Sequence, residues 1–216
     1  MHSEVLIVAT AGRLPRIECR GGLTARSTLS DTVHLVSAAA TPLGGDTISL
    51  RVVVEAGACL RLRSAAATMA MPGRHSTTSH TDITLEVAGR LDVDLEPTVI
   101  AGPAVHIATV CAAIDEAGEL RLRERIQIGR TGERQGFWSG SMRADVKGQP
   151  LLRHRLELGA GAPADDILSA PRACVSELRY PLDNPDGRSH PRGATVLELA
   201  AGGLLSTWQG DRLPAG

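Results

Sequence analysis

The stretch DTISLRVVVEAGACLRLRS (Asp46–Ser64) alternates apolar and polar residues with a period of two. This period is typical of a half-buried β-strand, and it places Ile48, Leu50, Val52 and Val54 on one face. An Ala-Gly pair then separates this segment from a second alternating segment that begins with leucine. The stretch therefore predicts a strand, a tight turn and a second strand.

The same layout recurs along the chain in EAGACLRLRS, EVAGRLDVDLEP and DEAGELRLRERI. Their glycines, Gly57, Gly89 and Gly118, are spaced by 32 and 29 residues. Repeats of this length are typical of stacked units that bury their faces only against their neighbours. A β-sandwich with regular turns would give the same pattern. We favour the stacked, solenoid-like arrangement over the sandwich.

Composition agrees with a mainly β fold built from aliphatic side chains. Of the 216 residues 43% are hydrophobic, but only 2% are aromatic. Such a core packs well in flat stacked layers. We predict one domain over residues 1–216, a solenoid-like (β-helical) stack of short strands with one or two short helices. The best helix candidate is APADDILSAPRACVSELRY (Ala162–Tyr180), and flexible loops are expected near residues 159–166 and 181–193.

Charge and cysteine content restrict the classes of partner and compartment. The formal net charge of −1 gives no electrostatic reason to expect nucleic acid or an anionic membrane. No stretch approaches the ~20 apolar residues of a membrane span. The four cysteines are scattered without a C-x-x-C pair, so we expect free, mostly buried thiols in a reducing cytoplasm.

Gly44-Gly45-Asp46 precedes the first of these strands. A phosphate-binding loop needs glycines between a strand and a helix N-terminus, so that backbone amides and the helix dipole meet the anion. Here the glycines lead into a strand. The sequence therefore predicts a turn, in which glycine supplies a positive φ and the aspartate accepts hydrogen bonds from nearby backbone donors.

Asp92, Asp94 and Glu96 alternate along one predicted strand and so share a face, with neighbours about 7 Å apart. They are either a solvated strand face or a polar groove that binds a hard cation weakly. A third alternative is a carbohydrate-active β-solenoid enzyme that uses them as acid and base. No G-x-S-x-G motif is present, and the seven histidines are dispersed.

Four segments, taken in order, resemble the urease accessory protein UreD family, also called UreH. They are HLVSAAATPLGGD (His34–Asp46), LRLRSAAATMAMPGR (Leu60–Arg74), LDVDLEPTVIAGPA (Leu91–Ala104) and the stretch Leu122–Gly159. The last contains a turn similar to the family's Leu-Gly-Arg-x-Gly-Glu. The resemblance covers about residues 30 to 160, and it lies in the order and spacing of the segments.

The resemblance implies a mostly β, solenoid-like protein without a catalytic reaction. Members of this family act as scaffolds in urease maturation. They bind UreF, which recruits the GTPase UreG. The assembly docks on apo-urease to help insert nickel, and two copies of the chain could pair within it. The resemblance also implies a water-filled internal passage through which nickel(II) travels transiently, without a stably bound cofactor.

The resemblance also implies roles for particular residues. The nickel-path candidates are the carboxylates Asp46, Glu96, Glu124 and Glu133 and the imidazole of His34. The structural signature comprises Gly44, Gly45, Gly129, Arg130 and Gly132. Structural alternatives remain, namely a turn cap for Asp46 and a buried ion pair with an arginine for Glu124. No stable metal site is predicted.

Overall fold

Two large β-sheets face each other in the computed structural model, which describes residues 1–163, 170–182 and 191–214. These residues form strands and no helix. The strands, in chain order, are β1 (His2–Ala9), β2 (Arg16–Arg20), β3 (Leu23–Leu29), β4 (Thr32–Ser37), β5 (Thr47–Val54), β6 (Cys59–Ser64), β7 (Thr68–Ala70), β8 (Thr78–Val87), β9 (Arg90–Asp94), β10 (Thr98–Ile100), β11 (Val105–Ile114), β12 (Glu119–Ile128), β13 (Phe137–Val146), β14 (Gln149–Gly159), β15 (Ala173–Tyr180), β16 (Thr195–Leu199) and β17 (Gly203–Gly210).

The chain passes back and forth between the two sheets. In the first sheet β1, β5, β8, β11 and β13 run parallel, and in the second β4, β6, β9 and β12 run parallel. The short strand β10 pairs with the C-terminal end of β12, and β7 pairs with β10. Successive passes make a β-solenoid-like stack of about four turns. The predicted solenoid-like fold is therefore confirmed.

The repeated Ala-Gly pairs form one corner of this stack. Gly57, Gly89 and Gly118 follow β5, β8 and β11, at the same position in three successive turns. A Cβ on Gly89 would lie 2.3 Å from the carbonyl oxygen of Ala58, so only glycine fits there. At this corner, a backbone amide of each turn of the stack also donates a hydrogen bond of 2.8–3.0 Å to a carbonyl oxygen of the preceding turn. The pairs are Glu55 to Ala9, Ala88 to Val54, Asp115 to Val87, and Lys147 to Ile114.

The inward residues of the alternating strands form the core. Ile48, Leu50, Val52 and Val54 are each at most 6% exposed, as their period of two predicts. The core has two clusters, a large one across both sheets and a smaller one around Trp138. Both clusters contribute to the wall of an internal cavity.

The predicted helix within Ala162–Tyr180 is wrong for its C-terminal half. Residues Ala173–Tyr180 form β15, which pairs antiparallel with β12. Buried cross-strand pairing there outweighs the weak helix signal. Asp165 and Asp166, the predicted first turn, lie outside the described residues, as do residues 164–166 and 183–190 of the two predicted loops.

All four cysteines are free, as predicted. The expectation that most are buried is wrong, because only Cys174 is buried, while Cys59 and Cys111 are exposed. Both exposed cysteines lie on outward positions of their strands, where the alternation itself places them. Within the described ranges, no helix is long and apolar enough to cross a membrane.

Candidate functional site

A cavity of about 280 Å³ lies between the inner faces of the two sheets. Its walls are largely aliphatic side chains of both sheets, among them Leu50, Ile83, Val110, Leu35, Val93 and Leu122. Five ionisable residues interrupt this apolar surface: Glu124, Glu96 and His106, together with Arg123 and Arg125. The cavity is the place where chemistry inside this fold would occur.

Glu124 reaches the interior because β12 keeps its alternation. It lies between Leu122 and Ile126, which are each 2% exposed, while Arg123 and Arg125 lie on the opposite face of the strand. Among the described residues Glu124 has no ion pair or hydrogen bond, so the predicted arginine partner is absent. Burial of the carboxyl raises its pKa from 4.5 to about 7.

Further polar atoms lie on β15 beside Glu124 and on the cavity wall. Ser176 of β15 lies directly opposite Glu124 in the antiparallel pair, and Cys174 is two residues away on the same face. Burial, and then the nearby Glu124, raise the pKa of the Cys174 thiol well above its usual range. The Ser176 hydroxyl and the indole N–H of Trp138 are buried without a hydrogen-bond partner in the described part of the chain. Unpaired polar atoms of this kind are typical of sites where water or a ligand supplies the missing bond.

His106 is the imidazole of the cavity, and the sequence reasoning missed it. It lies on the inner face of β11, is 3% exposed, and its Nδ1 is 2.9 Å from the Ser79 hydroxyl. Burial, and to a lesser degree the neighbouring His80, lower its pKa to about 4, so the ring is neutral at neutral pH. The alternation of His106 with Ala108 and Val110 in one strand was the signal that could have found it.

Glu96 joins the cavity to the surface. Its side chain lines the cavity yet is 49% exposed. One carboxylate oxygen is 3.9 Å from Arg125 Nη2, and its backbone amide donates to the Ser64 hydroxyl at 2.8 Å. Of the predicted nickel-path residues, the fold thus brings Glu124 and Glu96 to one cavity.

Asp46 lies in the turn before β5, and it does not line the cavity. Its Oδ2 accepts hydrogen bonds from the Thr41 hydroxyl at 3.0 Å and the Leu43 amide at 2.8 Å, and Oδ1 is 2.5 Å from the Met1 amine. Burial alone would raise the pKa of Asp46, but these donors outweigh it and lower the pKa. A Cβ on Gly44 would lie 1.9 Å from a backbone oxygen of the 73–76 loop. The predicted turn is confirmed.

Glu133 and the glycines around it also form a turn. The carboxylate accepts hydrogen bonds at 3.0 Å from the amides of Arg130 and Gly102, and from the Arg130 Nε at 2.9 Å. The Arg130 side chain, followed by the two amides, lowers the pKa of Glu133 to about 2. Gly129 and Gly132 have φ of +76° and +84°. This part of the structural signature shapes a loop away from the cavity.

His34 lies on the outer face of β4, opposite to its neighbour Leu35, which lines the cavity. Its Nδ1 is 2.9 Å from the Thr28 hydroxyl. The fold therefore separates His34 from Glu124 and Glu96.

Of the three carboxylates predicted to share a strand face, Asp92 and Asp94 lie on the outer face of β9, where arginines neutralise them, whereas Glu96 follows β9 and lines the cavity. Asp92 Oδ1 and Oδ2 lie 2.8 Å and 2.5 Å from Arg121 Nη1 and Arg63 Nη2. Asp94 Oδ1 lies 3.2 Å from Arg125 Nη2, and its side chain is only 6% exposed. Neither a solvated face nor a free acid–base pair is formed.

The sequence reasoning missed these arginines, although the repeat encodes them. Arg121 and Arg123 follow Asp92 and Asp94 by 29 residues, which is one repeat, and the strand register pairs them directly. Arg121 also reaches Glu177 of β15 at 3.0 Å, and its side chain is 4% exposed. Within the described ranges, no three His, Cys, Asp or Glu side chains converge as metal ligands.

Comparison with known proteins shows the family of this chain. The UreD urease accessory protein family matches residues 13–178. Urease accessory protein UreD 1 of Saccharopolyspora erythraea is 36% identical over 81% of this chain and 70% of its own length. UreD of Frankia alni is 42% identical over 70% of this chain, and UreD of Streptomyces coelicolor is 31% identical over 90%.

The chain spans 48% of the Frankia alni protein and 82% of the Streptomyces coelicolor protein. These relatives are named as accessory proteins of urease and not as enzymes, in agreement with the predicted lack of a catalytic reaction. The family match covers every strand from β2 to β14 and most of β15. The chain therefore belongs to the UreD urease accessory protein family.

Proposed function

We propose that this chain is a cytoplasmic scaffold of urease maturation that assists the insertion of nickel(II) into apo-urease. In this proposal the chain binds UreF, and UreF brings the GTPase UreG to the same assembly, which could hold two copies of the chain. Family membership over residues 13–178 supports the accessory role. The partners and the cargo are those that the family resemblance implies.

Glu124 is the observation that carries the nickel part of the proposal. Its carboxyl lies in an apolar cavity without a partner among the described residues. A buried carboxylate without a counter-charge is unfavourable, and a divalent cation in the cavity would supply that charge. Carboxylate oxygen and neutral imidazole are both ligands that nickel accepts.

A small number of ligands suits transfer better than storage. Glu124 and His106 line the interior of the cavity, and the half-exposed Glu96 lies where the cavity meets the surface. One or two protein ligands hold a cation weakly, so it can leave again towards the urease site. In the proposal Glu96 receives nickel(II) and Glu124 passes it on. Asp46 and Glu133 stabilise the turns in which they lie and do not bind nickel.

Co-purification and urease activation test the two parts separately. The tagged chain is expressed with the urease subunits and UreF, and we expect it to retain both. We expect Glu124→Gln and Glu96→Gln to retain these partners while lowering urease activation by about tenfold, the effect of losing about 1.4 kcal/mol of cation binding. Glu18→Gln, an exposed glutamate on the outer face of the first sheet, is the matched control.

The outcomes test the scaffold role and the nickel route through the cavity separately. Failure to retain urease and UreF would refute the scaffold. Retained partners with full activation in both cavity variants would remove Glu124 and Glu96 from the nickel route, and they would leave the scaffold standing.

A further inference from the structure

A second cleft, remote from the internal cavity, lies where β12 ends. It has a volume of about 410 Å³ and is lined by ten described residues. Four are arginines, contributed by three separate segments: Arg130 and Arg134 from the loop after β12, Arg172 before β15 and Arg212 after β17. None of these arginines has a role in the turn at Gly44 or in the cavity.

Gln127 holds the three segments together beneath the cleft. Its side-chain amide nitrogen lies 3.2 Å from the carbonyl oxygens of Arg172 and Asp211, and its amide oxygen accepts the Leu213 amide at 3.0 Å. Arg172 Nη1 in turn donates to the Arg134 carbonyl at 3.3 Å. These hydrogen bonds therefore fix the relative positions of the backbone segments to which the arginine side chains are attached.

The cleft is positively charged although the whole chain is not. Among its described lining residues, four arginines stand against two carboxylates, Glu133 and Asp211, so these residues have a net charge of +2, whereas the chain as a whole carries −1. The Glu133 carboxylate is already engaged by Arg130. Arg134 and Arg212 are exposed and have no ion pair with any described residue.

The shape of the cleft indicates the class of anion. None of its described lining residues is aromatic, so a nucleobase would have no ring on which to stack. Arg134 and Arg212 are exposed to solvent, and a single hydrated ion gains little from solvated charges. Several carboxylates on one chain would engage several guanidinium groups at once, with forked hydrogen bonds.

We propose that this cleft binds an acidic segment of a partner polypeptide, whose carboxylates contact Arg134 and Arg212. The proposal goes beyond nickel transfer and does not depend on it, because the cleft shares no residue with the internal cavity. In this proposal the cleft is a docking site, and the loop of residues 129–133 (Gly-Arg-Thr-Gly-Glu) forms part of it.

Fluorescence anisotropy of the purified chain with a short labelled poly-glutamate peptide tests the proposal. We expect saturable binding that weakens with added salt, and no binding of a matched poly-glutamine peptide. The double substitution Arg134→Ala/Arg212→Ala is expected to weaken binding by about tenfold or more. Arg20→Ala/Arg143→Ala removes the same charge from two exposed positions on the outer face of the first sheet and should leave binding unchanged.

Three results would overturn the proposal. One is the absence of poly-glutamate binding at low salt. Another is an equal loss of binding in the control pair, which would mean attraction to overall charge. The last is full displacement of the peptide by inorganic phosphate at an equal concentration of charge, which would identify a site for free oxyanions. Circular dichroism of each variant verifies that it is folded.

Discussion

At the scale of single residues, Glu124 is where the apolar alternation of the strands is broken. The neighbours of Glu124 on the same face are buried aliphatic side chains, and the arginines beside it in sequence lie on the other face of the sheet. A leucine at this position would fill the core better. The carboxyl is therefore unfavourable for stability, and the proposed function inside the cavity would account for it.

The pH dependence of stability follows from the pKa of Glu124. The pKa of Glu124 is about 7 in the folded state, and its ordinary value is 4.5. Between these two pH values the native state therefore holds a proton that the unfolded state releases. The contribution of Glu124 to the free energy of unfolding is fully present below about pH 4.5. It is lost as the pH rises to about 7, which lowers the free energy of unfolding by up to about 3 kcal/mol. We expect Glu124→Gln to flatten this part of the curve and to be the more stable protein above pH 7.

Urea denaturation at a series of pH values measures this effect. Glu96→Gln is the control, because a half-exposed carboxyl keeps its contact with water. Parallel curves for the wild type and Glu124→Gln between pH 4.5 and 7 would show that Glu124 is solvated in the folded protein.

At the scale of elements, the outer face of the second sheet is held by a network of charges. Arg121 contacts Asp92, Asp94 and Glu177, and so it ties three neighbouring strands, β9, β12 and β15, together. A buried charge that loses its partner is strongly unfavourable. The network therefore stabilises the register in which β15 is added to the parallel stack.

Replacing Arg121 should be far more damaging than replacing an exposed arginine. We expect Arg121→Met to lower the free energy of unfolding by about 3–5 kcal/mol, because three carboxylates lose one shared cation. Arg51→Met, which breaks an exposed pair with Glu86, should change it by less than about 1 kcal/mol. Chemical denaturation measures both, and equal effects would show that solvent screens the network.

The sequence predicted the elements whose signal is local. The period of two located the strands, and the Ala-Gly repeat located the corner of Gly57, Gly89 and Gly118. The sequence did not reveal β15, since its burial on both faces arises from pairing with β12. Nor did it predict the pairing of Arg121, which needs the register between coils, or the inward position of His106.

At the scale of the whole molecule, antiparallel strands close a parallel stack. The strand β14 flanks β13 at one end of the first sheet, and β15, β17 and β16 extend the second sheet beyond β12. The family match ends at residue 178, within β15, so the hairpin of β16 and β17 lies beyond it. This hairpin covers the edge of β15, whose buried residues include Leu178.

Removal of that hairpin should expose an aggregation-prone edge. We expect a chain that ends at residue 182 to self-associate, because an uncovered β-strand edge offers unpaired backbone groups. A chain that ends at Gly210 keeps β17 and should remain a single species. Size-exclusion chromatography distinguishes them, and identical elution of both chains as one small species would show that β15 needs no cover.

The cavity also determines how the fold responds to hydrostatic pressure. Pressure favours the state of smaller volume, and unfolding eliminates internal void space. An empty cavity of about 280 Å³ would make this protein unusually easy to unfold by compression, whereas a cavity filled with water would contribute little. Compressing the protein therefore reports whether the space beside Glu124 is dry or wet, without any metal or partner present.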